Sequence, residues 1–95
     1  MNIVLCNNIS QITKEYSSYH IINEETYRIA LDKDVIYEPK DEKWISLLAF
    51  KEALSDLKVN LDQNISTIFI FDKSEKKMAL LNILLERYEL ELLIL

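Results

Sequence analysis

The sequence contains no glycine in 95 residues, where about 7% would be ordinary. Phosphate-cradling loops depend on glycine for positive φ and for close approach of the backbone to the ligand. Dinucleotide fingerprints, P-loops and the G-x-S-x-G nucleophile elbow are therefore excluded in their usual forms. Turns that need a left-handed residue fall to Asn and Asp, the next most tolerant types. Cysteine is nearly absent as well. Cys6 stands alone, so no internal disulfide can form, and a reducing cytoplasm is the expected setting. One cysteine and one histidine, His20, cannot build a structural zinc site. No metal and no cofactor are expected.

Positive charge is also in short supply: 11 Lys and Arg against 16 Asp and Glu leave a net charge of −5. An acidic surface repels phosphate backbones, so nucleic acid is a poor default partner. The basic residues Lys73, Lys76 and Lys77 each lie close to an acid. Such a surface suits solubility or a basic protein partner. Long apolar runs are missing too. The leucine-rich stretch 78–95 is broken by Glu86, Arg87, Glu89 and Glu91, and a membrane span needs about 20 mostly apolar residues. The N-terminus has no basic region ahead of its apolar stretch, so neither a membrane nor a signal peptide is expected.

What remains is a globular composition, 49% hydrophobic and 28% charged, on a chain whose length fits one domain, 1–95. So high an apolar share on so short a chain suggests that a partner or a second copy covers part of the surface. Residues 2–6 read as a buried strand ended by Asn7-Asn8. Residues 9–18 fit either a short helix or a loop, and 19–23 read as a second strand. Tyr27, Ile29 and Leu31 alternate, Asp32-Lys33-Asp34 signals a turn, and Val35-Ile36-Tyr37 resumes the alternation, which predicts a hairpin. Trp44, Leu47, Leu48, Leu54 and Leu57 recur at helical spacing, predicting an amphipathic helix over about 41–58. Residues 65–71 are β-branched and aromatic, a strand. Asp72 or Ser74 can cap the next helix, about 74–87, and Asp72 with Glu75 fits a capping box. Met78, Leu81, Leu85 and Tyr88 form its stripe, widened by Ala79, Leu80, Ile83 and Leu84, so burial on more than one side is expected. Residues 89–95 read as a last strand. The expected fold is α/β, with α+β as the variant: a mixed sheet of about five strands and two main helices, without repeats or linkers.

Strands joined through helices are usually parallel, and ligands gather outside their carboxyl ends. Two segments fall there, Cys6-Asn7-Asn8 and Asp72-Lys73-Ser74. They converge if their strands are neighbours; otherwise they are a turn and a helix cap. Cys6 as a nucleophile would need an activating base or cation, and His20 is the sole histidine. The alternative is a small buried hydrophobe. Glu42, Glu52, Asp56, Asp62 and Asp72 offer carboxylates for a hard cation, or simply a solvated surface. Trp44, Tyr88, Leu93 and Leu95 are candidate interface residues.

The element order, with Glu52 on the helix and Asp72 at the following strand end, is similar to the ribonuclease H-like fold. That resemblance implies clustered carboxylates holding two metal ions for phosphoester chemistry. Cys6 and Asn7 stand where the family would place an aspartate, which implies a degenerate relative without nuclease activity. The leading expectation is a small acidic, non-enzymatic module: a regulator, adaptor or inhibitor, of a kind phages or mobile elements encode. It would bind a protein partner and self-associate through the open edge of its last strand. The rival expectation is a metal-dependent phosphoester enzyme using carboxylates at strand ends.

Overall fold

The computed structural model describes residues 2–34 and 41–95. The elements are β1 (Asn2–Cys6), two 3₁₀ turns (Ile9–Gln11 and Lys14–Tyr16), β2 (His20–Asn23), α1 (Glu24–Asp34), α2 (Glu42–Asp62), β3 (Thr67–Ile70), α3 (Glu75–Leu85) and β4 (Glu91–Ile94). The strands form one parallel sheet in the order β2-β3-β1-β4. β1 and β3 hold the middle, and all their residues except Asn2 are buried. Their unbroken apolar runs are what a strand buried on both faces requires.

The two faces are unequal. On one, Ile3, Leu5, Ile22, Phe69 and Phe71 meet Phe50, Ala53, Leu57 and Leu61 of α2 and Leu81 of α3. On the other, among the described residues, Val4, Cys6, Ile68 and Ile70 are covered by Ile12, Tyr16 and Tyr19 from the segment between β1 and β2. The β1-to-β2 connection thus crosses the open face, while β2-to-β3 and β3-to-β4 cross the helical face in the opposite direction. Opposite directions on opposite faces give every crossover the same hand, as parallel units demand.

The lack of glycine is met where α2 ends. Asn64 takes the left-handed conformation, φ 58°. Its N–H donates to the Leu61 carbonyl (3.1 Å) and the Ile65 N–H to the Asn60 carbonyl (2.9 Å), closing a Schellman motif with Asn in the position glycine usually takes.

The α/β class and most elements match the sequence expectation, although among the described residues the sheet has four strands, all parallel, where a mixed sheet of about five was expected. Three further differences concern single elements. Residues 27–31 are helical, not the first strand of a hairpin; Val35-Ile36-Tyr37 lie outside the described residues. The Asn23 side chain accepts from the Glu25 N–H (3.0 Å), so β2 turns directly into α1. Ile29, which a strand would bury, is exposed, and Tyr27 packs against the core from a helical position. The third opening strand of the ribonuclease H-like order is therefore replaced by α1. Within α2 the buried stripe is Ile45, Ala49, Phe50, Ala53, Leu57 and Leu61, rotated from the one expected. Two of these are alanines, Ala49 and Ala53, both fully enclosed, and Trp44 is left 46% exposed. Finally, α3 is buried on one side only: Leu81 is enclosed while Ile83 is exposed.

Candidate functional site

The two loops singled out by sequence do converge. β1 and β3 are hydrogen-bonded neighbours with Cys6 level with Ile70, and the Phe71 N–H donates to the Cys6 carbonyl (3.0 Å). The chain leaves β1 toward the open face and β3 toward the helical face. Their carboxyl ends therefore border the crevice where α/β sheets commonly bind ligands. Several of the polar groups there are occupied locally. The Asn8 side chain accepts from the Ser10 N–H (3.0 Å), and the Gln11 amide oxygen accepts from the Asn7 and Asn8 N–H groups (both 3.2 Å). Ser74, not Asp72, caps α3, accepting from the Lys77 N–H (3.3 Å). Lys73 donates to the Leu95 carbonyl (3.1 Å). Cys6 is fully buried; burial pushes its thiol up, against smaller lowering effects of the Asn8 backbone and Lys73. It is therefore a poor thiolate. His20 starts β2 level with Thr67, while Cys6 lies level with Ile70 one strand further across. At about 3.3 Å per residue and 4.8 Å per strand, that places them roughly 10 Å apart in each direction, too far for a nucleophile and its base.

Sequence reasoning missed the most elaborate polar arrangement. Glu24 and Lys77 are both buried, each 6% exposed. Lys77 donates to a Glu24 oxygen and to the Ser46 hydroxyl (2.8 Å), and its ammonium lies 5.7 Å from the Phe50 ring centre. Ser46 donates to the same Glu24 oxygen (3.1 Å), while the other accepts from the Asp72 N–H (3.1 Å). The network ties the starts of α1 and α3, the first turns of α2 and the end of β3 together. The available signal was the spacing of Lys77, four residues before Leu81 on the buried stripe. A cleft of about 500 Å³ opens beside it, lined in part by Arg28, Glu42, Ser46, Asp72, Ser74 and Lys77. Its buried ammonium is already paired with Glu24 and Ser46, and Arg28 is paired with Glu42.

The remaining carboxylates are dispersed. Asp56 accepts from the Tyr27 hydroxyl. Burial first, then that bond, pushes the Tyr27 pKa up to about 12. Asp62 accepts from the Tyr88 hydroxyl and from Lys58 (3.0 Å), which hold its carboxyl below the usual range. Among the described residues, no group of three or more His, Cys, Asp or Glu side chains is placed to hold a metal ion.

The candidate interface residues separate. Tyr88 packs on the helical-face core with its hydroxyl committed to Asp62, and Trp44 lies in the first turn of α2. Leu93 and Leu95 sit on the β4 edge with Leu92 and Ile94, which sequence reasoning had not singled out. These four are 44% (Leu92), 43% (Leu93), 54% (Ile94) and 37% (Leu95) exposed. A groove of about 270 Å³ runs beside β4 on the open face, bordered by Val4, Tyr16, Tyr19 and Leu93. Among the described residues, no helix is long and apolar enough to cross a membrane. Comparison with protein-family models, curated proteins and solved structures finds no match.

Proposed function

We propose that this chain is a protein-interaction module whose docking site is the outer edge of β4. One observation carries the reading: β4 is last in the sheet order, and every one of its residues is exposed although three of its four are Leu or Ile. An edge strand presents a row of backbone donors and acceptors, and natural proteins usually blunt such an edge with charge, proline or a bulge. Here a single carboxylate, Glu91, stands at its start. An extended segment laid along β4 would use those backbone groups for affinity and cover apolar side chains on both faces, the β-augmentation mode of recognition. Self-association and capture of another protein are both forms of that pairing.

The test compares the wild type with Leu93→Lys, which places a charge at the centre of the edge. Both proteins should give the same circular dichroism. The wild type should retain a polypeptide, its own copy or another, from a source-cell extract, and the variant should lose it. Retention should coincide with slowed hydrogen exchange at the Leu92 and Ile94 amides. Identical capture by both proteins, or binding that leaves those amides unprotected, would overturn the reading.

A further inference from the structure

We propose that the strand docking on β4 is β4 of a second copy of this chain, running antiparallel about a two-fold axis at Leu93. This rests on β4 being a docking edge and adds the occupant, the direction and the register. The Leu95 N–H donates to the Leu5 carbonyl (2.8 Å), which sets the alternation along the strand. Glu91, Leu93 and Leu95 turn their amide groups toward β1, so Leu92 and Ile94 turn theirs outward.

In an antiparallel pair, outward residues lie opposite one another and exchange both N–H···O bonds. Placing Leu92 opposite Ile94 of the other copy achieves this twice by symmetry. It also sets Leu93 opposite Leu93 at the closely spaced, non-hydrogen-bonded position. This is the symmetric register in which both outward residues of β4 find each other. Centring on Leu92, or on Ile94, pairs that residue with itself and takes the other beyond the strand.

The charges agree with it. Like charges directly opposite one another destabilise a strand pair. With Leu93 at the axis, Glu91 of one copy faces Leu95 of the other, at the corner where Lys73 donates to the Leu95 carbonyl. The Glu91 carboxylate of one copy thus approaches the Lys73 ammonium of the other, and Glu91 does not oppose Glu91. The apolar surface agrees as well: Leu92 and Ile94 share a face with Ile3 and Leu5, while Leu93 shares one with Val4. The contact covers apolar groups on both faces and joins two four-stranded sheets into one with no free β4 edge. It closes on itself, as the commonest homodimers do.

The register makes the test specific. Opposed Cα atoms at a non-hydrogen-bonded position lie about 4.5 Å apart, within the span a disulfide bridges. The native Cys6 is buried and the wild type serves as its control. L93C should therefore form a disulfide-linked dimer under mild oxidation. L92C and I94C, which do not face themselves, should link more slowly despite equal or greater exposure. In solution the wild type should show twice the 11.2 kDa chain mass. A wild type that stays monomeric at every concentration overturns the self-pairing. Faster linking by L92C or I94C overturns the register. If self-pairing fails while Leu93→Lys still abolishes capture of a different protein, the docking edge stands and only its occupant changes.

Discussion

β3 and β4 are two short strands of one sheet with opposite fates. Thr67-Ile68-Phe69-Ile70 is buried throughout, and Glu91-Leu92-Leu93-Ile94 is exposed throughout. Both are four residues long, three of them apolar, and both pair in parallel with β1. What differs is position: among the described residues, β3 lies between β2 and β1, and β4 has β1 on one side only. Local propensity makes a strand, and the strand order decides what it buries. The apolar content of β3 is explained by the core of its own chain. That of β4 is not, which is why β4 carries the functional reading.

The comparison breaks first at its buried member. The Phe69 ring packs 5.8 Å from Phe50 and 5.2 Å from Phe71, measured between centres, and is fully enclosed. Phe69→Ala should cost about 3–5 kcal/mol, the usual range for removing an aromatic ring from a core. Urea unfolding followed by circular dichroism will measure it. A loss near 1 kcal/mol would mean that the sheet centre can collapse around the missing ring.

The next effect lies at the carboxyl end of β3. The Asp72 N–H is held by Glu24, whose other oxygen is shared between Lys77 and Ser46. Ser46→Ala removes one donor to the carboxylate and one acceptor from the ammonium while leaving both charges buried. Hydrogen bonds to charged groups contribute about 1.5–3 kcal/mol, and a loss in that range is expected. Backbone exchange at Asp72 should accelerate in parallel. At β4 the corresponding end is held by the Lys73 contact to the Leu95 carbonyl, so Ser46→Ala should leave exchange in β4 unchanged.

Most of this contrast was legible in part. The strands at 2–6 and 65–71, and both long helices, follow from residue type and spacing, because each is a local pattern. The strand order is not local, and it alone turns one apolar strand into core and another into an edge. The same holds for α1, where Tyr27, Ile29 and Leu31 satisfy a period of two. The deciding facts were a cap from Asn23 and a second helix for α1 to pack on. The convergence of Cys6–Asn8 with Asp72–Ser74 could be stated only conditionally, until β1 and β3 proved neighbours. Glu24 and Lys77 are 53 residues apart in sequence, and no spacing rule connects them.

The smallest expected effect is also the most discriminating. The same change, Ile→Thr, can be made at Ile94 in β4 and at Ile68 in β3. Ile68 is fully enclosed, so the new hydroxyl enters an apolar cluster and the cost should be about 2 kcal/mol or more. Ile94 keeps 54% of its surface open. Full burial of such a side chain contributes about 1.5–3 kcal/mol, so the cost there should stay below about 1 kcal/mol in dilute protein. Equal costs would mean that β4 is already covered within a single chain. A cost at Ile94 that grows with protein concentration, while that at Ile68 does not, is what a second copy seated on the edge produces, because association stabilises the folded state by mass action.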